Sequence, residues 1–292
     1  MAWLELTLAL RADATADVEQ CLENAGALSI TLTDAADQPL LEPGVGETPL
    51  WDKVTLSALF AHDVQQAGVT DALVALDATN QDTFHWREVK DQAWERVWLD
   101  RFSPQQFGDR LWVVPGEHTA PDDAVVVRLD PGLAFGTGDH ETTAMCLEWL
   151  GGVDSLAGQH VLDFGCGSGI LAIAAAQLGA SRVVALDNDP QALIATRDNA
   201  ARNGVVDRIE VVPAPLDANN QFDIVLANVL AGPLIALADR LVGALRNDGQ
   251  LVLSGLLTSQ TEEVGAAYTP HVVWEPPVSR GDWARLDGRR VA

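Results

Sequence analysis

Residues 160–187 constrain the fold of this chain more than any other segment. A short apolar run reaches Asp163, and three glycines then stand at alternate positions: Gly165, Gly167 and Gly169. Apolar residues at helical spacing follow as far as Gly179, and a second apolar run ends at Asp187. This order of strand, glycine-rich turn, helix, strand and acid predicts one half of a nucleotide-binding α/β sheet.

The spacing of these glycines narrows the choice of ligand. In the dinucleotide-binding fingerprint the third glycine stands five positions after the first, where this chain has Ile170. Glycines let a ligand approach the backbone because no Cβ occupies that space, whereas a pyrophosphate also needs the positive end of the helix. S-Adenosylmethionine has no phosphate, and Asp187 offers two carboxylate oxygens to ribose hydroxyls. The spacing favours S-adenosylmethionine over a dinucleotide, and a glycine turn without a ligand remains the third alternative.

Composition places the chain in a broad class. Its 292 residues are 48% hydrophobic, enough for one large or two medium domains. No apolar run approaches the roughly 20 residues of a membrane helix, and the N-terminal stretch, with Glu5 inside it, reads as a strand rather than a signal peptide. The three cysteines show no Cys-x-x-Cys spacing: Cys21, Cys146 and Cys166. We therefore expect a cytoplasmic, reduced protein with neither a disulfide framework nor a metal site.

The charge restricts the possible partners. Forty-two acidic residues against 18 basic ones give a net charge of −24. Such a field repels nucleic acid and attracts basic partners. Adaptation of a whole proteome to salt or to a high-GC genome would produce the same excess, so the charge permits a basic substrate without demonstrating one.

Hydrophobic periodicity divides the chain into three parts. Residues 1–91 carry strand and helix patterns in the order βαββαβ, which is typical of a ferredoxin-like α+β domain. Residues 92–104 predict a linker helix, with Trp94 and Trp98 on one face. Residues 105–292 alternate strands and helices and end in two strand patterns without a long helix between them. They predict a Rossmann-like, mostly parallel sheet with one antiparallel edge strand.

Ligands of such sheets bind outside the carboxyl ends of the strands, and three further segments are predicted to lie there. Residues 130–143 form a glycine-rich loop that ends in Thr142 and Thr143 at a helix start. Asn228 follows the fourth strand, where a side chain can face both cofactor and substrate. Residues 211–215 follow the third strand and are expected to line an adenine. His140 could serve as a base, although a solvent-exposed loop histidine is the simpler interpretation.

Three blocks of sequence resemble those of the PrmA family, which methylates protein eleven of the large ribosomal subunit. They are residues 130–143, 163–179 and 227–234, and the resemblance covers essentially the whole chain. It implies trimethylation of lysine ε-amines and of the N-terminal α-amine by S-adenosylmethionine, and substrate capture by the N-terminal domain. By position, four residues match the family's cofactor contacts: Thr143, Gly165, Asp187 and Asn228. We expect Gly167, Phe135 and Thr142 beside them, and Asn228 to orient the amine or the methionine end of the cofactor.

The resemblance sets further expectations and leaves alternatives. We expect a monomer that acts on the free basic ribosomal protein before assembly, without contacting nucleic acid. The main alternative is a methyltransferase of the same core that acts on another basic protein or on a small molecule. An RNA methyltransferase, a dinucleotide-dependent oxidoreductase and a non-catalytic ribosome-assembly factor are the remaining classes. Val229 and Leu230 after Asn228 argue against adenine and glutamine-amide methyltransferases, which usually have Pro-Pro-aromatic there.

Overall fold

The computed structural model describes residues 2–35, 51–76, 81–90, 103–116, 118–129, 138–215 and 221–291. The chain divides into two compact units, Met1–Trp94 and Glu95–Ala292. The predicted linker helix with its two tryptophans lies almost entirely outside the described residues. Within the described ranges, no helix combines the length and apolar character that crossing a membrane requires.

The first unit is a four-stranded sheet with two helices. Its elements are β1 (Ala2–Arg11), α1 (Thr15–Asn24), β2 (Ser29–Asp34), β3 (Lys53–Ala61), α2 (Gln66–Val74) and β4 (His85–Lys90). The strand order is β2-β3-β1-β4, and all neighbours are antiparallel. Alternate residues of β1 and β3 are buried against the helices, because successive side chains of a strand point to opposite faces. The predicted ferredoxin-like order is confirmed.

Only the start of α2 departs clearly from the sequence pattern. Periodicity predicts a helix from Asp71, but α2 begins at Gln66. Gly68 in its first turn is a poor helix former, and the turn is held by burial of Val69 at 4% exposure. Tertiary packing therefore extends this helix beyond what local propensity indicates.

The second unit is built on a doubly wound sheet. Its first elements are β5 (Gln105–Phe107), β6 (Leu111–Val114), β7 (Val125–Arg128), α3 (Glu141–Gly151), β8 (His160–Phe164), α4 (Ile170–Gln177), β9 (Arg182–Asp187) and α5 (Pro190–Arg202). The remaining elements are β10 (Ile209–Pro213), β11 (Phe222–Asn228), α6 (Ala231–Ala236), α7 (Ala238–Ala244), β12 (Leu245–Leu257), α8 (Thr261–Ala267), β13 (Val272–Trp274), β14 (Val278–Arg280) and β15 (Trp283–Arg290).

The large sheet has the strand order β10-β9-β8-β11-β12-β15-β13, with β14 paired to β15. Its first five strands are parallel, and β15 is antiparallel to both of its neighbours. The α/β class and the mixed sheet are as predicted. The antiparallel strand, however, lies between β12 and β13 rather than at the edge. The reason is that β13 and β14 pair along the outer side of β15, a placement that periodicity cannot specify.

Two apolar layers enclose this sheet. One packs strand residues such as Val161 and Leu226 against α3 and α4, and the other packs Leu162 and Val225 against α6, α7 and α8. Neighbouring residues of one strand thus enter opposite cores, as expected for a sheet covered on both faces. The parallel strands consequently end at a common edge, where the polar residues of the sequence motifs collect.

A small sheet precedes the large one and was missed by the sequence analysis. Strands β5, β6 and β7 form it, with β5 antiparallel and β7 parallel to β6. The segment from Asp109 to Pro115, which contains β6, indicates in the sequence only the start of the second domain. The flanking strands are only three and four residues long, which is too short for alternation to be distinguished from a loop.

Candidate functional site

The glycine-rich turn joins β8 to α4 at the carboxyl edge of the sheet. The backbone N–H groups of Gly165 and Cys166 both donate to the carbonyl oxygen of Leu186, at 2.8 and 3.0 Å. Gly165 has a φ of +75°, and a Cβ added there would stand 2.4 Å from Cγ1 of Val229. Glycine is required at this position both by the backbone conformation and by the close approach of β11.

The third glycine of the turn is fixed by contacts with α5. A Cβ on Gly169 would lie 2.7 Å from Cγ2 of Thr196. The hydroxyl of Thr196 donates to the carbonyl oxygen of Gly167 at 3.0 Å, and Asn199 Nδ2 donates to the carbonyl oxygen of Ser168 at 2.9 Å. Helix α5 thus holds the turn from behind. Neither Thr196 nor Asn199 belongs to a recognisable motif, and no signal in the sequence identified them.

Asp187 lies at the end of β9 beside this turn. One carboxylate oxygen accepts the backbone N–H of Gly167 at 2.9 Å, and the other accepts that of Asp189 at 3.0 Å. A carboxylate oxygen can accept more than one hydrogen bond, so both oxygens retain acceptor capacity in a fixed orientation. This geometry suits the two adjacent hydroxyls of a ribose. Residue Ala214, in the segment predicted to line an adenine, donates its N–H to the Asp187 carbonyl at 2.9 Å.

A second carboxyl group, Asp163, is buried beneath the turn. Its exposure is 1%, and Oδ2 accepts the backbone N–H of Ala172 in the first turn of α4 at 2.9 Å. Burial raises the pKa of Asp163 to about 7, the hydrogen bond from Ala172 opposes that rise, and the negative charge of Asp187 adds to it. Asp163 therefore anchors the helix that begins at the glycine-rich turn.

Asn228 ends β11 and faces the start of α3. Its Nδ2 donates to the hydroxyl of Thr143 at 3.1 Å. Asn228 is half-buried, whereas Thr143 is 1% exposed. With Nδ2 engaged, the carbonyl oxygen Oδ1 of Asn228 is the atom that can accept an N–H from a ligand. The predicted pair of Thr143 and Asn228 is thus in direct contact.

The residues just before Thr143 form the end of the glycine-rich motif of residues 130–143. His140 caps α3: its Nδ1 lies 2.8 Å from the hydroxyl of Thr142 and accepts the backbone N–H of that residue at 3.4 Å. The ring of His140 is half-buried and packs edge-on against Trp283, with centroids 5.1 Å apart. The interpretation of His140 as a solvent-exposed loop residue is therefore wrong.

Of the predicted site residues, the structure brings together Thr142, Thr143, Gly165, Gly167, Asp187 and Asn228 through the contacts above. Thr142, like Thr143, is 1% exposed. Phe135 lies outside the described residues, as do 130–134, 136 and 137. Gly138 is the first described residue after this gap. It lies close to the glycine-rich turn, because a Cβ added to Gly138 would stand 3.4 Å from Cδ1 of Ile170.

Arg285 on β15 ties α3 to the sheet and was not identified from the sequence. It is 8% exposed; Nη1 donates to the carbonyl oxygen of Met145 at 2.7 Å, and Nε and Nη2 donate to Oδ1 of Asp287 at 3.0 and 2.8 Å. In the sheet register, Arg285 pairs with Ser254, and Ser254 pairs with Asn228. A connected path therefore leads from Asn228 across two strands to α3 and back through Thr143.

The charge of this strand-end edge indicates which ligand it suits. Residues 164–170 contain no lysine or arginine, and the carboxylate of Asp187 lies beside the turn. A pyrophosphate would meet negative charge here, whereas a sulfonium and an ammonium group would be attracted. The donors and acceptors on these residues fit S-adenosylmethionine.

Comparison with known proteins agrees with this geometry. The chain matches the family described as ribosomal protein L11 methyltransferase (PrmA) over residues 2–291. It is 51% identical to the ribosomal protein L11 methyltransferase of Pseudomonas aeruginosa (strain LESB58) over 294 residues, covering 100% of both chains. The corresponding protein of Marinobacter nauticus is 50% identical over 99% of each. The crystal structure of ribosomal protein L11 methylase from Lactobacillus delbrueckii subsp. bulgaricus aligns with a TM-score of 0.59 and 32% identity, covering 65% of this chain and all of that one.

Proposed function

The chain belongs to the ribosomal protein L11 methyltransferase family, and we propose that it transfers methyl groups from S-adenosylmethionine to ribosomal protein L11. The acceptors are lysine ε-amines and the N-terminal α-amine. One observation carries the proposal beyond family membership. Two backbone N–H groups fix the orientation of the Asp187 carboxylate, beside a glycine turn that has no basic residue. Such a site suits a ribose that is attached to a cationic group.

The proposed cofactor site uses the predicted residues. Asp187 would accept hydrogen bonds from the ribose hydroxyls, Gly165 and Gly167 would line the cofactor with their backbone, and Asn228 with Thr143 would contact it from the end of β11. Phe135, which lies outside the described residues, is proposed as a further cofactor-binding residue. When bound, S-adenosylmethionine supplies an electrophilic methyl group on a sulfonium.

Asn228 is the residue to which we assign the positioning of the amine. Because its Nδ2 is engaged by Thr143, Oδ1 is directed to accept an N–H of the incoming amine and so aligns the nitrogen lone pair. Alignment of reactants accounts for roughly 7–11 kcal/mol of catalysis in favourable cases. The attacking lysine must be neutral, although its ordinary pKa is about 10.4; desolvation at this edge would lower that pKa. We assign no side chain as general base.

The substrate is proposed to be free ribosomal protein L11 in the cytoplasm. Residues 1–91 are proposed to recognise it, and residues 92–104 to link them to the catalytic domain, residues 105–292. The enzyme is proposed to be a monomer. The net charge of −24 supports this choice, because it attracts a basic protein and repels the RNA of an assembled subunit. Faster methylation of intact large subunits than of free L11 would overturn the choice of substrate form.

The test is intact-mass spectrometry of unmethylated L11 incubated with the enzyme and S-adenosylmethionine. We expect mass increments of one methyl group or multiples of it, with peptide mapping placing them on amines. An Asp187→Ala variant is the control, and it should give no increments. If the mass of L11 stays unchanged while S-adenosylhomocysteine still binds the enzyme, the substrate assignment is wrong and a different basic protein or small molecule becomes the acceptor.

A further inference from the structure

A groove separates the two helices of the first unit. Its volume is about 960 Å³, and it is lined by Cys21 and Ala25 on the α1 side and by Val69, Ala72 and Leu76 on the α2 side, with polar side chains on both sides, such as Gln20 and Gln65. Gly68 also lines it, and nothing lies nearer to a Cβ added there than Cβ of Gln65 at 3.9 Å. The small residues on both helices leave an open, apolar space in which a side chain from another molecule could be buried. We call this space the helix groove.

The two helices beside the groove carry negative charge and no cation, and one of their acids lines the groove. Helices α1 and α2 contain four acidic residues and no lysine or arginine: Asp17, Glu19, Glu23 and Asp71. Asp17 itself lines the groove and is exposed. No favourable contact with a nucleic acid or with the same face of a second copy is expected, because both would bring further negative charge.

The opposite face of the same sheet has a different charge pattern. Arg11, Lys53 and Arg87 alternate with the buried residues of their strands, which places them on the face away from the helices. There Arg87 is paired with Glu5, and Arg11 with Asp13. If the acidity reflected only the composition of the whole chain, charged residues of both signs would be distributed equally over the two faces. Among the cations of this unit whose side chains the structure describes, Arg11, Lys53 and Arg87 lie on one face, and the groove lies on the other.

We propose that the helix groove docks an amphipathic, lysine-rich segment of the substrate protein. An apolar side chain of that segment enters between α1 and α2, and its lysines face Asp17 and the neighbouring acids. Burial of an apolar anchor within a rim of complementary charge is the usual arrangement of a protein interface. The identity of this occupant rests on the proposed function, since a protein-lysine methyltransferase needs a basic partner; the groove and its charge do not.

The first test fills the groove in the full-length enzyme. Gly68→Leu adds a side chain into open space, and Ala67→Leu is the matched control on the same helix, at an exposed position that does not line the groove. With unmethylated L11 as substrate, Gly68→Leu should raise KM about 10-fold or more. The kcat for L11 and the Kd for S-adenosylhomocysteine should match those of Ala67→Leu.

The second test changes charge without changing the volume of the groove floor. Asp17→Lys should raise KM for L11 about 5-fold at low ionic strength, and the difference should shrink in 0.5 M salt, roughly as expected for screened surface charges. Glu262→Lys, an exposed residue of α8 in the other unit, carries the same change of charge and should leave KM near that of the wild type. This pair also decides the question if Gly68→Leu fails to fold.

The outcomes separate the two proposals. If the wild type methylates L11 and both groove variants keep the KM of their controls, the helix groove is not the docking site while the proposed function stands. If Gly68→Leu instead changes the oligomeric state or lowers kcat for L11 at unchanged KM, the groove is covered by a second copy or by this chain, and the proposal is overturned. Failure of the wild type to methylate L11 rejects the function itself.

Discussion

The two sheets of this protein bury their strands in different ways, and the difference explains where chemistry can be located. In the first unit, β3 alternates buried and more exposed residues, because helices cover only one face. In the second, β11 has four consecutive buried residues, because both faces are covered. A one-sided sheet offers a broad surface for recognition. A two-sided sheet leaves only its strand ends accessible, so that polar groups collect at one edge.

The strand-end edge and the helix groove also differ in how closely neighbouring atoms surround their glycines. At the strand-end edge, Gly165 and Gly169 each have a neighbouring side chain within 3 Å of where a Cβ would be. In the helix groove, the space at Gly68 is open. We therefore expect substitutions at the edge to alter cofactor binding and those in the first unit to alter recognition only.

The largest effect should come from the cores. Leu8 in the first unit and Leu253 in the second are both 0% exposed, so that replacing either by alanine should cost about 2–5 kcal/mol of stability. Only Leu253→Ala should also weaken S-adenosylhomocysteine binding, because Leu253 is adjacent to Ser254 on the strand beside Asn228. Denaturant unfolding and calorimetric titration measure the two quantities. If both variants lost affinity for S-adenosylhomocysteine equally, the two units would not differ in their effect on cofactor binding.

Gly165→Ala should weaken S-adenosylhomocysteine binding by more than about 100-fold, equivalent to about 3 kcal/mol. The added Cβ would stand 2.4 Å from Val229 and would occupy a backbone with φ of +75°. Gly158→Ala is the matched control, since Gly158 has φ of +79° and nothing within 4 Å. Titration of both variants separates the close contact from backbone strain. Similar affinities in the two variants would show that the approach of β11 is not critical.

Asp187→Asn should raise the Kd for S-adenosylhomocysteine by about 10- to 100-fold, as expected for losing charged hydrogen bonds worth about 1.5–3 kcal/mol. Asp189→Asn serves as control, because Asp189 caps α5 through the N–H of Gln191 at 2.9 Å, and asparagine can cap equally well. The melting temperature of Asp189→Asn should stay near that of the wild type, whereas that of Asp187→Asn should fall, because an amide nitrogen cannot accept one of the two backbone N–H groups. An unchanged Kd for Asp187→Asn would place the ribose elsewhere.

The last effect concerns pH and leaves cofactor binding unchanged. The pKa of Asp163 is raised from 3.8 to about 7 by burial, so the folded state binds more protons than the unfolded state between these values. Stability therefore falls as pH rises from about 4 to about 7, and the loss is complete above that range. Asp163→Asn removes this contribution, and its melting temperature should decline less than that of the wild type between pH 5 and 8. Calorimetry showing parallel declines would contradict the assignment.

Sequence alone predicted the fold class of both units and named most residues of the candidate site. Alternation along β1 and β3, and the block from Asp163 to Asp187, are local patterns, because side-chain period and glycine conformation depend on the adjacent chain. The family resemblance, which the comparisons confirm, rests on the same local blocks. The contacts of Gly167 with Asp187 and of Thr143 with Asn228 follow once parallel strands end at one edge.

The tertiary structure decided the features that depend on residues distant in the chain. Thr196 fixes Gly169 from 27 positions away, and Arg285 reaches Met145 across 140 residues. The position of β15 inside the sheet is set by the pairing of β13 and β14, and the helix groove exists because two helices present small residues to each other. Local sequence encodes conformation and burial, but only packing determines which distant side chains meet.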